Sequence, residues 1–181
     1  MPDPSQFKID RSYPGVWTIT FSNPPINIFV PETIVELGAL MTDLEADRSV
    51  KVVVFQAANP EFFIAHLDVA KAAARPETLG LWRDIVLRLS SSPVVSVSKI
   101  RGRTRGIGNE FVLACDMRFA SRQSALFGNP EVGVGLVLGG GAMEWLPRLV
   151  GRSRAGDRAQ RRRFRCRYRR ALWLGKPHAG R

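Results

Sequence analysis

Three features of the sequence predict an α/β fold: segments of strand character alternate with amphipathic helical ones, one strand is a nearly unbroken apolar run, and glycine-rich loops follow strands. Right-handed β–α–β crossovers are the rule for such an alternation. Ligands then bind outside the carboxyl ends of the strands.

Val16–Ser22 is rich in β-branched and aromatic residues and predicts a strand, which Asn23, Pro24 and Pro25 end because proline donates nothing to a ladder. Pro31 suits the first position of a helix. Ile34, Leu37, Leu40, Met41 and Leu44 then share one face, with Glu32, Glu36, Asp43 and Asp47 opposite, so the helix runs to about Arg48. Val50–Ala57 (VKVVVFQA) has the length of a strand and the composition of one covered on both faces of a parallel sheet. Asn59–Leu67 is a loop at its carboxyl end. Ala70–Ala74 and Thr78–Ser90 are helical, Val94–Ile100 is a third strand, Gly108–Cys115 a helix and Met117–Ala120 a short strand. Gly133–Gly141 leads into a last helix, Ala142–Val150.

The chain has 181 residues, 45% of them apolar, and 27 Lys plus Arg against 16 Asp plus Glu, a formal charge of +11. Twelve of the cations but only Asp157 among the acids fall in Arg152–Arg181, so the first 151 residues are electrically neutral. They are enough to bury one sizeable core, which excludes disorder throughout. No apolar run approaches the roughly 20 residues of a membrane helix, and Met1–Asp10 has no secretory-signal pattern, so a cytoplasmic location and no membrane partner are expected. Cys115 and Cys166 stand 51 positions apart without further partners. They support neither a disulfide framework nor a zinc site, and no metal ligands are assigned.

Two loops could carry chemistry. Asn59–Asp68 joins a strand to a helix and places backbone N–H groups at a helix start, where negative charge is stabilised. Arg101–Glu110 repeats the arrangement, with Gly106 and Gly108 letting the backbone approach a ligand. Two such loops can aim two N–H groups at one oxygen, and one such donor contributes about 3 kcal/mol in a transition state. A nucleotide site is disfavoured: the third glycine of a dinucleotide fingerprint is missing and no Gly-Lys-Ser/Thr loop exists. Glu131 adds a second carboxylate to Glu110, and paired carboxyls beside an oxyanion suit proton transfer next to a carbonyl. Arg101, Arg103 and Arg105 are either phosphate contacts or a solvated edge. His66 reads as a loop histidine with a structural hydrogen bond.

Phe62–Val69, Ile100–Ser121 and Phe127–Arg154 together resemble the enoyl-CoA hydratase/isomerase (crotonase) superfamily, in order and spacing, over almost all of Phe21–Ala155. The resemblance implies a crotonase-like fold of ββα repeats with a spiral core, and an acyl-CoA enzyme of fatty acid metabolism. It places oxyanion-hole N–H groups at Leu67 and Ile107 and the two hydratase glutamates at Glu110 and Glu131. Asn27, Ala65, His66, Asp68, Gly106 and Gly108 fall in segments that resemble its substrate- and coenzyme A-binding parts. A lyase hydrating a 2-enoyl thioester is the activity it implies, with isomerases and other acyl-CoA reactions on the same scaffold as alternatives. No separate cofactor is implied, because coenzyme A is part of the substrate. A homotrimer or hexamer is implied as the assembly. The family commonly has glycine where His66 and Ile107 stand, which alters the shape of the pocket while keeping both N–H groups.

Beyond Ala155 the resemblance stops. Arg158–Arg170 is mostly arginine and has neither helical nor strand period. Written in permitted codons beginning GGA GAT CGT GCT CAG and read one base later, Gly156–Arg181 can translate as a peptide starting Glu-Ile-Val-Leu-Ser-Ala-Asp-Asp-Phe-Asp, which resembles the family's continuation throughout. The expectation is a reading-frame shift near Ala155. It divides the chain into a crotonase-like domain over residues 1–151, lacking its C-terminal helices, and a basic, disordered tail over 152–181, with low stability and little activity. Competing readings are an arginine-rich nucleic-acid binder, which the frame shift disfavours, and an inactive paralogue that assembles with full-length relatives.

Overall fold

The computed structural model describes residues 5–137, 139–150 and 164–165. A five-stranded sheet has the order β1 (Phe7–Tyr13), β2 (Val16–Phe21), β3 (Val52–Ala57), β5 (Val95–Ile100), β7 (Met117–Ala120). The β1–β2 pair is antiparallel and every later neighbour is parallel. A smaller sheet orders β4 (Phe62–Ile64), β6 (Arg103–Arg105), β8 (Leu126–Gly128) and β9 (Phe164–Arg165), with β9 antiparallel to β8. Each parallel strand of the large sheet is therefore followed by a short strand of the small one, β3 by β4, β5 by β6 and β7 by β8. Helices come next: α2 (Val69–Ala73) and α3 (Glu77–Ser91), then α4 (Ile107–Ala114), then a 3-10 turn (Glu131–Val134) and α5 (Ala142–Val150). This is a ββα repeat in the mixed α/β class that the sequence implied.

Helix α1 (Pro31–Ala46) buries Ile34, Leu37, Leu40, Met41 and Leu44, the five residues whose spacing predicted its face. Burying each such side chain stabilises by roughly 1.5–3 kcal/mol. Its N-terminus is closed by Thr33, whose hydroxyl accepts from the Val30 N–H at 3.1 Å. The core runs from α1 and α3 over β2 and β3 to α4, the eight residues of which are all buried.

Some expectations are corrected. β3 is not equally buried on both faces: Val53 and Phe55 are buried, whereas Val52, Val54 and Gln56 are only partly covered among the described residues. In β5 the inward positions include Ser96 and Ser98, and Val95 points out. Ser96 is inside because its N–H and hydroxyl both donate to Asp116 Oδ2, at 2.9 and 2.7 Å, which fastens β5 to the turn between α4 and β7. The Asn59–Leu67 segment is not wholly loop, since it contains β4. The expectation of a disordered tail falls largely outside the described residues.

Candidate active site

Two segments meet at one end of the small sheet. β4 and β6 pair in parallel, Phe62 opposite Arg103 and Ile64 opposite Thr104, so the residues after each strand emerge side by side. Arg105 Nε donates to the Ala65 carbonyl at 3.2 Å and ties the two together. Gly108 permits the packing below: a Cβ there would stand 2.6 Å from Ile64 Cβ and 2.9 Å from its carbonyl oxygen. Leu67 lies in an isolated parallel bridge with Phe29, in which the Phe29 N–H donates to His66 O and the Asp68 N–H to Phe29 O. Neither the Leu67 N–H nor the N–H of Ile107, first residue of α4, donates to another group among the described residues. Open donors at these positions are what an oxyanion hole requires.

The residues around them differ in what they have left to offer. Asn27 is 1% exposed; its amide donates to Phe62 O at 3.0 Å and accepts from the Asn23 N–H at 2.9 Å. It shapes the chain rather than presenting its side chain to a ligand. Ala65 is engaged at both backbone groups, by Asn27 O and by Arg105. His66 Nδ1 lies 2.9 Å from Leu67 O, the structural hydrogen bond its loop position suggested. Asp68 caps α2, its Oδ1 accepting from the Lys71 N–H at 3.0 Å. Arg103 lies 3.8 Å from Glu61 and over the Phe62 ring, so two of the three loop arginines, Arg103 and Arg105, reach across to the Asn59–Asp68 segment.

Both glutamates reach this place. Glu110, in the first turn of α4, is 5% exposed, and its Oε1 accepts from the Gly140 N–H at 2.8 Å. Burial pushes its pKa above the usual carboxylate range; the Gly140 hydrogen bond opposes this and the nearby charge of Glu131 adds to it. Glu131 opens the 3-10 turn, and burial raises its pKa too. Its Oε1 occupies the space left by the missing side chain of Gly106, which has φ +54, and its Oε2 is buried without a partner among the described residues. Asn129, whose Oδ1 accepts from Asn109 Nδ2, faces Glu131 from the adjoining turn. The charge of Glu131 thus adds to what burial does at Glu110, favouring the neutral form of that carboxyl.

Sequence reasoning missed the part that Gly140 and Asn129 play beside the two glutamates. Each had a local signal, Gly140 in a glycine-rich stretch and Asn129 two positions before Glu131. No group of three or more His, Cys, Asp or Glu could hold a metal among the described residues, and no described helix is long and apolar enough to cross a membrane.

The comparisons with known proteins agree with this fold. The family model for enoyl-CoA hydratase/isomerase matches residues 11–162. The fatty acid oxidation complex subunit alpha of Shewanella frigidimarina is 31% identical over 160 residues, covering 83% of this chain and 22% of that subunit. Among solved structures, Pseudomonas aeruginosa DspI superposes with a TM-score of 0.85 at 29% identity, over 97% of this chain and 72% of its own. A Streptomyces avermitilis protein provisionally described as an enoyl-CoA hydratase gives a TM-score of 0.78 at 40% identity, over 84% of this chain and 58% of its own. The chain thus spans less than a quarter of the curated Shewanella relative. Matched over most of its own length, it belongs to the enoyl-CoA hydratase/isomerase family, the crotonase superfamily.

Proposed function

We propose that this domain is built to add water across the double bond of a 2-enoyl-CoA. The observation that carries the reading is the pair of carboxyls, Glu110 buried and Glu131 partly so, each with a pKa raised by burial and Glu110 within the field of Glu131, beside two backbone N–H groups with no acceptor among the described residues.

In this reading the thioester oxygen accepts from the Leu67 and Ile107 N–H groups. The ionised carboxylate takes a proton from water as the water oxygen bonds to Cβ. The double-bond electrons move toward the thioester oxygen, and the enolate is held by the two donors. The protonated carboxyl then gives its proton to Cα, and proton exchange within the pair restores the starting state. One glutamate alone can shuttle a proton between carbons, as an isomerase needs, whereas hydration uses both.

The test is loss of enoyl-CoA absorbance with Glu110→Gln and Glu131→Gln. Both substitutions abolish hydration; if either variant keeps wild-type hydration the assignment is wrong, and if one keeps double-bond migration alone the isomerase reading replaces it. We also propose that residues after Ala155 derive from a shifted reading frame, so the chain as written turns over slowly. The resemblance of the one-base-shifted translation to the family's continuation supports this.

A further inference from the structure

Trp82 is buried at 3% exposure in the middle of α3, and its indole N–H has no hydrogen-bonding partner among the described residues. A buried donor left without an acceptor is costly, so its position requires a reason. The ring is fixed from two sides, edge-on to Phe29 with centroids 6.1 Å apart and tilted against Phe111 at 6.4 Å. Those neighbours leave Nε1 pointing at Gly140. A Cβ on Gly140 would collide with both Trp82 Nε1 and Glu110 Oε2, so the indole nitrogen and the carboxyl oxygen converge over this one glycine. Glu110 Oε1 is already taken by the Gly140 N–H, which leaves Oε2 as the acceptor beside the indole.

We propose that the Trp82 N–H is a positioning donor for Glu110: together with the Gly140 N–H it grips the ionised carboxyl from two directions, and α3 thereby sets the direction in which that carboxyl faces the site. This rests on the reading of Glu110 as a proton-transfer group, but the contact itself is testable without turnover. A donor that binds the charged form favours ionisation, opposing burial and the charge of Glu131. The other groups that reach Glu110 are the backbone N–H groups of Gly140 and Ala142; Glu131 is the charged side chain that faces it.

The experiment uses the whole chain labelled with 15N at tryptophan, followed by proton–nitrogen correlation spectra of the four indole N–H groups, at Trp17, Trp82, Trp145 and Trp173, from pH 4 to pH 9. Trp82→Phe identifies its resonance; should that variant unfold, Phe substitutions at the other three tryptophans identify it by elimination. The Trp82 resonance moves downfield as pH rises, with its midpoint above the ordinary carboxylate range. In Glu110→Gln it no longer moves, and in Glu131→Gln it still moves but at lower pH. A Trp82 resonance that stays constant with pH, or that shifts equally in Glu110→Gln, overturns the proposal. Catalysis by the same samples is read separately, so failure of the hydratase assignment and failure of this contact give different results.

Discussion

Glu131 Oε1 stands 2.6 Å from where Gly106 would carry a Cβ, so the carboxylate occupies a place that a side chain at 106 would take. The backbone there, at φ +54 and ψ −123, is one that L side chains rarely adopt. Gly106→Ala therefore meets strain and a displaced carboxylate together. It should lower stability by about 1–3 kcal/mol in urea denaturation, and an unchanged midpoint would show that the turn relaxes freely.

Ile107 is the first residue of α4, a position where proline is tolerated because its missing N–H has no partner within the helix. Ile107→Pro thus deletes one proposed oxyanion donor while leaving the helix. The expected result is a loss of roughly 10²–10³-fold in kcat for enoyl-CoA hydration with unchanged far-ultraviolet circular dichroism. Retained kcat would remove Ile107 from the site.

The raised pKa values of Glu110 and Glu131 make folding stability depend on pH. Each carboxyl binds its proton more tightly folded than unfolded, so their contribution is full below the unfolded pKa near 4.5 and is lost as pH rises toward the folded pKa. Glu110→Gln removes one such group. Its melting temperature should exceed that of wild type at pH 8, with the advantage shrinking toward pH 4.5 and below. Parallel curves across that range would mean that Glu110 is not held protonated by the fold.

The hydrogen bond from Arg105 to Ala65 joins the two donor-bearing segments. A charge-assisted bond contributes about 1.5–3 kcal/mol. Arg105→Met should speed amide exchange at Ala65 and Asp68 at least about tenfold, while global unfolding changes less. Equal slowing or speeding everywhere would deny it a local role.

The reading-frame proposal predicts two things. The coding DNA, read one base later after Ala155, encodes the Glu-Ile-Val-Leu-Ser continuation, and a chain carrying that continuation hydrates crotonyl-CoA faster than the chain as written. A gene without it, or equally active chains, would refute the proposal.

What the sequence revealed of the fold follows from how each element is stabilised. α1, β2, β3, β5 and β7 carry their own apolar pattern and were legible. β4, β6 and β8 have three residues each, too few for a period, and exist because they pair with one another. β1 was missed because most of its residues are exposed, so Phe7–Tyr13 lacks a buried stripe. In the site, Glu110 and Glu131 were visible through their motifs. The contact from Gly140 to Glu110 spans 30 positions, and only the packing of α4 against the segment before α5 creates it. The sequence left the loop arginines open between phosphate contacts and a solvated edge; alternation along β6 turns Thr104 inward and leaves Arg103 and Arg105 to reach across to Glu61, Phe62 and Ala65.

The N–H of Gly140 that holds Glu110 belongs to a segment anchored by a small separate cluster, Leu113 with Ala142 and Leu146, while the main core lies elsewhere. A local opening of α5 would take that N–H away and admit water to Glu110, which removes the burial that raises its pKa. The hydrogen bond that steers Glu110 is therefore held by a smaller packing unit than the carboxyl itself, and it is the part of the site to loosen first on warming.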